Sequence, residues 1–248
     1  MSARVYVIAL SHPARAATGM LAHKRIAHRV VRLPAGPHPQ LVRAAGFTEP
    51  TVPALELADG RKLQGTLAIS RALDELVPDP PLFPRDPEAR RAVEEAERWG
   101  HSELQPVPRR IFRWGMLRDA AMRRWFAKEV LGWPAPGLIA ACAMPMVRPL
   151  ARASGSEDAA VADDLERLPA LLDHVDRLIA AGTIGTGERN AADFQILAGV
   201  RVLLEFEDLV GLVDGRPCAA AARRLFPRWE GPIPQFRDGS AGIVAMRR

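Results

Sequence analysis

Cysteine is nearly absent: Cys142 and Cys218 are the only two in 248 residues. With no CxxC pair and no even framework of spacings, the chain lacks a dithiol redox centre and reads as a protein of a reducing compartment. Tyr6 is the single tyrosine. It lies in the run Val5-Tyr6-Val7-Ile8, where packing within a sheet is the expected role. No apolar run can cross a bilayer, since the longest patch, Gly137 to Val147, is short and contains Pro145. No signal-peptide apolar region follows Met1-Ser2-Ala3-Arg4, so the expected location is cytoplasmic, with no membrane partner. There is no lysine block either: the net charge of +5 comes from scattered arginines without aromatic platforms among them. That excludes the usual nucleic-acid signatures and leaves a dispersed basic surface suited to anionic small molecules. No metal site is expected.

What is present is a chain of ordinary globular make-up, 48% hydrophobic and 25% charged, long enough for one large domain or two small ones. Its most informative stretch is Thr51-Val52-Pro53-Ala54-Leu55-Glu56-Leu57, followed by Asp59-Gly60 and then Arg61 to Thr66. Two short apolar runs flanking Asp-Gly predict a β-hairpin with a two-residue turn. Pro53 stands at the strand entrance, where an X-Pro bond is a candidate for cis, and an ordinary trans bond is the other reading. A cis bond there turns a backbone N–H and C=O outward, where an extended ligand can pair with them.

Upstream, Arg4 to Leu10 reads as a strand buried on both faces, and Pro13 fits the first turn of a helix carrying Ala17, Met20 and Leu21. Ala27 to Leu33 predicts a second strand, parallel to the first through a right-handed crossover. A short helix over Pro39 to Ala45, the hairpin, and a helix over Thr66 to Leu76 complete a β-α-β-α-β-β-α order. The proline-rich run Val77 to Pro84 marks a boundary, giving a first domain over residues 1–78, a linker over 79–85 and an all-α domain over 86–248.

In that second part Asp86-Pro87-Glu88 is a helix start. Pro106 and Pro108 are expected to interrupt the helix, with a basic helical pattern resuming from Ile111 to Leu131. Residues 133–157 are placed only loosely. Val161, Leu165, Leu168, Leu172, Val175 and Ile179 form a helix face, with a kink or break expected at Pro169. Asn190 and Asp193 approximate a capping box for a helix over Phe194 to Phe206. The tail from Phe226 to Arg248 is expected to lie over the surface, and Cys142 reads as a small core hydrophobe.

Taken in order, these segments resemble the glutathione S-transferase family. TVPALEL, DG and LQGTLAISRAL are similar to its VP-x-L, DG and E-S-x-A-I-x-x-Y-L run. PLFPRDPEARRAVEEAERW resembles its linker and first long helix, and GERNAADFQI its S-x-A-D-F segment. SHPARAATGMLAHKRIAHRVV matches less closely the segment after the first strand. The resemblance spans residues 4 to about 206 and implies a thioredoxin-like domain followed by a helical bundle. Glutathione, or another low-molecular-weight thiol, would be the co-substrate, and a homodimer is implied.

The resemblance also assigns roles. Val52, next to Pro53, would pair its backbone with the cysteinyl unit, while Gly65 and Thr66 would meet the γ-glutamyl end at a helix N-terminus. Thr66 keeps the family's hydroxyl, but Gly65 stands where the family has Glu or Gln, and Gln64 is one position away. The other reading of Gly65-Thr66 is a plain helix cap. Ser11 aligns with the family's Ser/Cys position and is the first candidate to stabilise a thiolate. His12 replaces the family's Pro and is a candidate donor, acid/base or turn residue. His38 and Gln40 are candidates for the glycyl end. Arg109, Arg110, Arg113 and Arg118 would border the electrophile pocket and favour anionic substrates, with a solvated basic face as the other reading. The implied activity is thiol addition to, or substitution on, small electrophiles. The alternatives are a non-catalytic binding protein and a thiol-dependent isomerase, dehalogenase or peroxidase.

Overall fold

The computed structural model describes residues 2–227 and 231–236. The first seven elements are β1 (Ala3–Val7), α1 (His12–His23), β2 (His28–Arg32), α2 (His38–Ala44), β3 (Ala54–Glu56), β4 (Lys62–Gln64) and α3 (Thr66–Leu76). They follow the order read from the sequence. The sheet runs β2-β1-β3-β4. β1 is parallel to β2 and antiparallel to β3, with Val5 opposite both Val30 and Leu55. β1 is shorter than its apolar run because Leu10 takes a left-handed backbone (φ 60°), which turns the chain into α1.

The hairpin differs from expectation in its turn. The Leu57 N–H bonds the Arg61 carbonyl at 2.9 Å and the Gly60 N–H bonds the Leu57 carbonyl at 3.0 Å. Three residues, Ala58 to Gly60, therefore form the loop. A two-residue Asn/Asp-Gly turn needs positive φ at both positions, and here only Gly60 has it, at 90°.

The helical part begins with α4 (Pro87–Trp99), capped by Asp86 through the Ala89 N–H at 2.8 Å. Pro106 and Pro108 do not interrupt it. A π-helical turn over Gly100–Leu104 leads directly into α5 (Pro106–Arg118), and Gln105 donates to the Gly100 carbonyl at 2.9 Å, five residues back. The prolines fall in the first turn of α5, and the wider π turn absorbs them without ending the helix. The real break comes at Asp119, whose extended backbone (φ −111°, ψ 115°) caps α6 (Ala120–Trp125). The segment that the sequence placed loosely forms α7 (Pro136–Cys142) and α8 (Met144–Ala153). Cys142 is exposed, not core.

Next, α9 (Asp158–Ala180) runs on through Pro169 with no break. α10 (Ala191–Leu203) carries the capping box: the Asn190 side chain accepts from the Asp193 N–H at 3.1 Å, and the Asp193 carboxylate accepts from the Asn190 N–H at 2.9 Å. Every residue from Ala191 to Val200 is buried, so α10 is the axis on which α1, α4 and α12 (Pro217–Leu225) pack. A short helix, α11 (Val210–Val213), lies between α10 and α12. One hydrophobic core joins Val5, Met20 and Leu21 of the first part to Leu104, Ile111 and Ile196 of the second.

The tail needs correction over its described part. Phe226, Ile233 and Phe236 are buried, and Ile233 bridges Phe206 in parallel, donating to the Glu205 carbonyl at 2.7 Å. Residues 228–230 and 237–248 lie outside the described residues. Phe236 packs edge-on against Trp114 at 5.7 Å and fills the space above Gly115, where a Cβ would stand 2.1 Å from its ring. Phe236→Ala should therefore cost about 3–5 kcal/mol, as expected for a buried phenylalanine. Urea denaturation measures this, and a change under about 0.5 kcal/mol would mean a surface residue.

Candidate active site

The sheet topology brings the candidate residues to one end. Tyr6 pairs with Ala54, Ala54 with Gln64, and Val7 with Arg32. The end of β1, the start of β3, the end of β4 and the end of β2 thus share one edge. Ser11, Val52-Pro53, Gly65-Thr66 and His38 all follow or precede those strand ends. Tyr6 itself packs on Phe47, ring centroids 5.4 Å apart.

The Val52–Pro53 peptide bond is cis. Val52 makes no backbone hydrogen bond among the described residues, so its N–H and C=O are open to a ligand. The Pro53 carbonyl accepts from the Gly65 N–H at 3.0 Å, tying the loop to the start of α3. Gln64 is fully engaged: its amide nitrogen donates to the Glu49 carbonyl at 2.7 Å and its oxygen accepts from the Glu49 N–H at 2.8 Å. It fastens the loop before Val52 and cannot also serve as the partner of a ligand ammonium. Gly65, with φ of 77°, has open space where a Cβ would stand.

Thr66 opens α3, is 1% exposed, and its hydroxyl has no hydrogen-bond partner among the described residues. A buried unpaired hydroxyl costs about 1–3 kcal/mol, and it lies beside the free N–H groups of a helix N-terminus. One turn on, the buried Glu97 of α4 accepts from Ser70 at 2.6 Å and pairs with Arg71, joining α3 to the helical part. Burial raises the Glu97 carboxyl above its ordinary range, with Ser70 and Arg71 opposing that rise.

Ser11 caps α1, its oxygen accepting from the Ala14 N–H at 3.3 Å. That role leaves its hydroxyl proton available to a neighbour. A groove of about 180 Å³ opens beside it, between Ile8, Arg15, Val30 and Arg32.

His12 is not a surface acid. It is 5% exposed and its Nε2–H donates to the Gln105 carbonyl at 3.1 Å, pinning α1 to the helical part. Burial, with the Arg109 charge adding, pushes its pKa down to about 3. The ring is neutral at any ordinary pH, which removes it as a proton donor to a thiolate. His38 is buried too, its Nδ1–H bonded to the Ala35 carbonyl, and its pKa is lowered by burial and by Arg113. Gln40 is exposed on α2 and has no hydrogen bond among the described residues.

Sequence reasoning missed Gln105 and the α8 contacts. Gln105 receives His12 on its carbonyl and Gln195 on its side chain, at 2.6 Å. Nothing in a lone glutamine signals a seam. In α8, Met146 packs over Gly36, and the Leu150 carbonyl accepts from Arg113 at 3.0 Å. Of the four arginines, Arg110 pairs with Asp164 and Arg118 with Asp158. Arg109 and Arg113 pair with no carboxylate among the described residues. No three His, Cys, Asp or Glu side chains converge as metal ligands among those residues, and no helix there is long and apolar enough to cross a membrane.

The His12 pKa sets a pH window. Its folded value lies below the unfolded 6.5, so between pH 6.5 and about 3 the unfolded chain holds a proton that the folded chain does not. Stability is therefore full above pH 6.5 and falls on acidification, by about 1.4 kcal/mol per pH unit from this group. Denaturation at pH 7.5, 6 and 5 should show wild type losing more than His12→Gln; equal slopes would remove the assignment.

Residues 5–81 match the family model described as Glutathione S-transferase, N-terminal domain. No curated protein matches the sequence. Solved structures match along nearly the whole chain. The β-etherase LigF from Sphingobium sp. strain SYK-6 has a TM-score of 0.60 at 17% identity, covering 100% of this chain and 99% of that one. A glutathione S-transferase from Sinorhizobium meliloti 1021 has a TM-score of 0.59 at 16% identity, covering 98% of each. A maleylacetoacetate isomerase from Anaeromyxobacter dehalogenans 2CP-1, with glutathione bound in its active site, has a TM-score of 0.54 at 20% identity, covering 91% and 92%. Residues 5–81 thus match a glutathione S-transferase N-terminal domain, and the chain as a whole shares the fold of these proteins.

Proposed function

We propose that the protein is a glutathione-dependent, transferase-like enzyme whose thiol is activated by Ser11 for attack on small electrophiles. The observation that carries this is the buried, unpartnered Thr66 hydroxyl at the start of α3, beside the open backbone of Val52 and the cis Pro53. A γ-glutamyl carboxylate there gives Thr66 and the free N–H groups their missing acceptor. The Val52 backbone takes the cysteinyl unit as an added strand. That places the sulfur toward Ser11, where one O–H donor and the N-terminus of α1 favour the thiolate over a thiol that otherwise titrates near pH 8.5. Gly65 supplies no acid for the ligand's ammonium and Gln64 is committed to the loop. That same deficit favours the second reading, a non-catalytic binding or interaction protein that does not take glutathione. As in the family at large, the working unit in this reading is a homodimer in the cytoplasm.

Glutathione titration by calorimetry separates the two readings: binding at millimolar ligand or tighter is expected, and none would sink the first. Ser11→Ala should lower kcat/KM for conjugation by about 10²–10³, the cost of one donor to a developing anion. Unchanged turnover would take Ser11 out of the mechanism. Thr66→Val should weaken glutathione binding by about tenfold while leaving the ligand-free protein as stable as wild type or more so, since it removes an unpaired buried hydroxyl. A hydroxyl that served only the fold would instead show lost stability.

A further inference from the structure

Arg109 and Arg113 are one turn apart on α5, on the face that runs on from Gln105. Gln105 holds His12, the neighbour of Ser11, and the Arg109 charge bears on both His12 and His101. The Arg113 charge bears on His38 in α2, at the same end of the sheet. The two guanidiniums therefore lie near His12 and His38, at the end of the first domain that carries Ser11. Both side chains are half-buried. Arg113 gives one nitrogen to the Leu150 carbonyl, and Arg109 makes no hydrogen bond among the described residues. The acids that could have neutralised them are taken: Asp164 by Arg110, Glu103 by Arg167 and Asp158 by Arg118. The histidines beside them are shifted toward the neutral form, so they neither add charge nor remove it. Burial and the Arg109 charge bring Arg113 down to about 10, and burial with the Arg110 charge lowers Arg109 as well.

Two like charges held a turn apart and partly stripped of water oppose folding unless an anion joins them. Guanidinium is the side chain whose planar fork matches a carboxylate. α8 lies beside both groups, Met146 approaching Gly36 and the Leu150 carbonyl accepting from Arg113.

We propose that Arg109 and Arg113 form the carboxylate-binding half of the electrophile pocket, so that the second substrate is a small electrophile bearing a carboxylate. This rests on the reading of the first domain as a thiol site. Glutathione's own glycyl carboxylate is the competing occupant.

The test uses 4-chloro-3,5-dinitrobenzoate and its methyl ester, with 3,5-dinitrobenzoate as a ligand that has no leaving group. In the reaction the thiolate sulfur bonds to the ring carbon, chloride departs with the C–Cl electron pair, and the thiol proton has already gone to solvent. Normalised to the uncatalysed rates, kcat/KM should favour the acid over the ester by about tenfold or more, the worth of one charge-assisted pair. Arg109→Gln and Arg113→Gln should collapse that ratio through KM for the acid, and Arg109→Lys should restore part of it. Equal use of acid and ester, or a fall in both alike in the variants, would overturn the proposal. Binding of 3,5-dinitrobenzoate by calorimetry, in the presence of saturating glutathione, separates the two layers. Binding that is lost in both glutamine variants, with neither chlorinated compound conjugated, keeps the anion pocket and removes the transferase reading. Absence of binding, or its abolition by glutathione in the wild type, removes the anion pocket and gives the arginines to the glycyl carboxylate. Variants are compared only where their thermal unfolding stays cooperative.

Discussion

The candidate site depends on one seam, the contact that fixes the helical part against the start of α1. His12 donates to the Gln105 carbonyl and Gln195 donates to the Gln105 side chain, so α1, α5 and α10 meet at a single residue. Gly100 lets the pair approach closely, since a Cβ there would stand 2.6 Å from Ile196. The π turn before α5 serves the same geometry, widening the helix where Pro106 and Pro108 withhold their N–H groups. Were this seam to shift by a turn, Arg109 would no longer face the end of β1.

Within the first domain a second clasp does comparable work at shorter range. The Gln64 amide holds residues 48–51, and the Gly65 N–H holds the Pro53 carbonyl. These bonds leave Val52 unpaired on the side toward the cleft and set the N-terminus of α3 beside it. Several groups are short of partners: two backbone groups at Val52 and the Thr66 hydroxyl, while Arg109 and Arg113 on α5 have no carboxylate among the described residues. Native proteins rarely keep buried polar groups without partners, and in the proposed function these groups meet a ligand. The two arginines carry positive charge with no carboxylate partner among the described residues. That pattern fits a ligand rich in carboxylates, as a γ-glutamyl tripeptide is, and a second substrate of the same sign.

The helices α7 and α8 pack in a way their composition conceals. Rich in Pro, Gly and Ala, the segment shows no periodicity strong enough to place it. Its position comes from contacts made by others: Arg113 reaching the Leu150 carbonyl, and Gly36 leaving room for Met146. The tail behaves similarly. Ile233 and Phe236 look like scattered apolar residues among prolines, yet both are buried and Phe236 fills the gap that Gly115 leaves on α5.

Local patterns in the chain determined the β-α-β-α-β-β-α order, the Asp86 start of α4, the Asn190–Asp193 box and the strand-entrance position of Pro53. Each of these is a matter of period, cap or turn chemistry within a few residues, where neighbours in sequence are neighbours in space. That Ser11, Val52 and Thr66 stand at strand and helix ends was legible for the same reason, while their roles came from the resemblance and belong to the proposed function. Tertiary structure alone decided the rest. It turned His12 from an apparent acid/base into a neutral pin, because burial and the Arg109 charge come from 97 residues away in sequence. It bound Gln64 to the loop across the hairpin. It also sorted four similar arginines into two that are paired and two with no carboxylate among the described residues, a distinction set by which carboxylates α9 brings within reach and by nothing in the arginines' own surroundings in the chain.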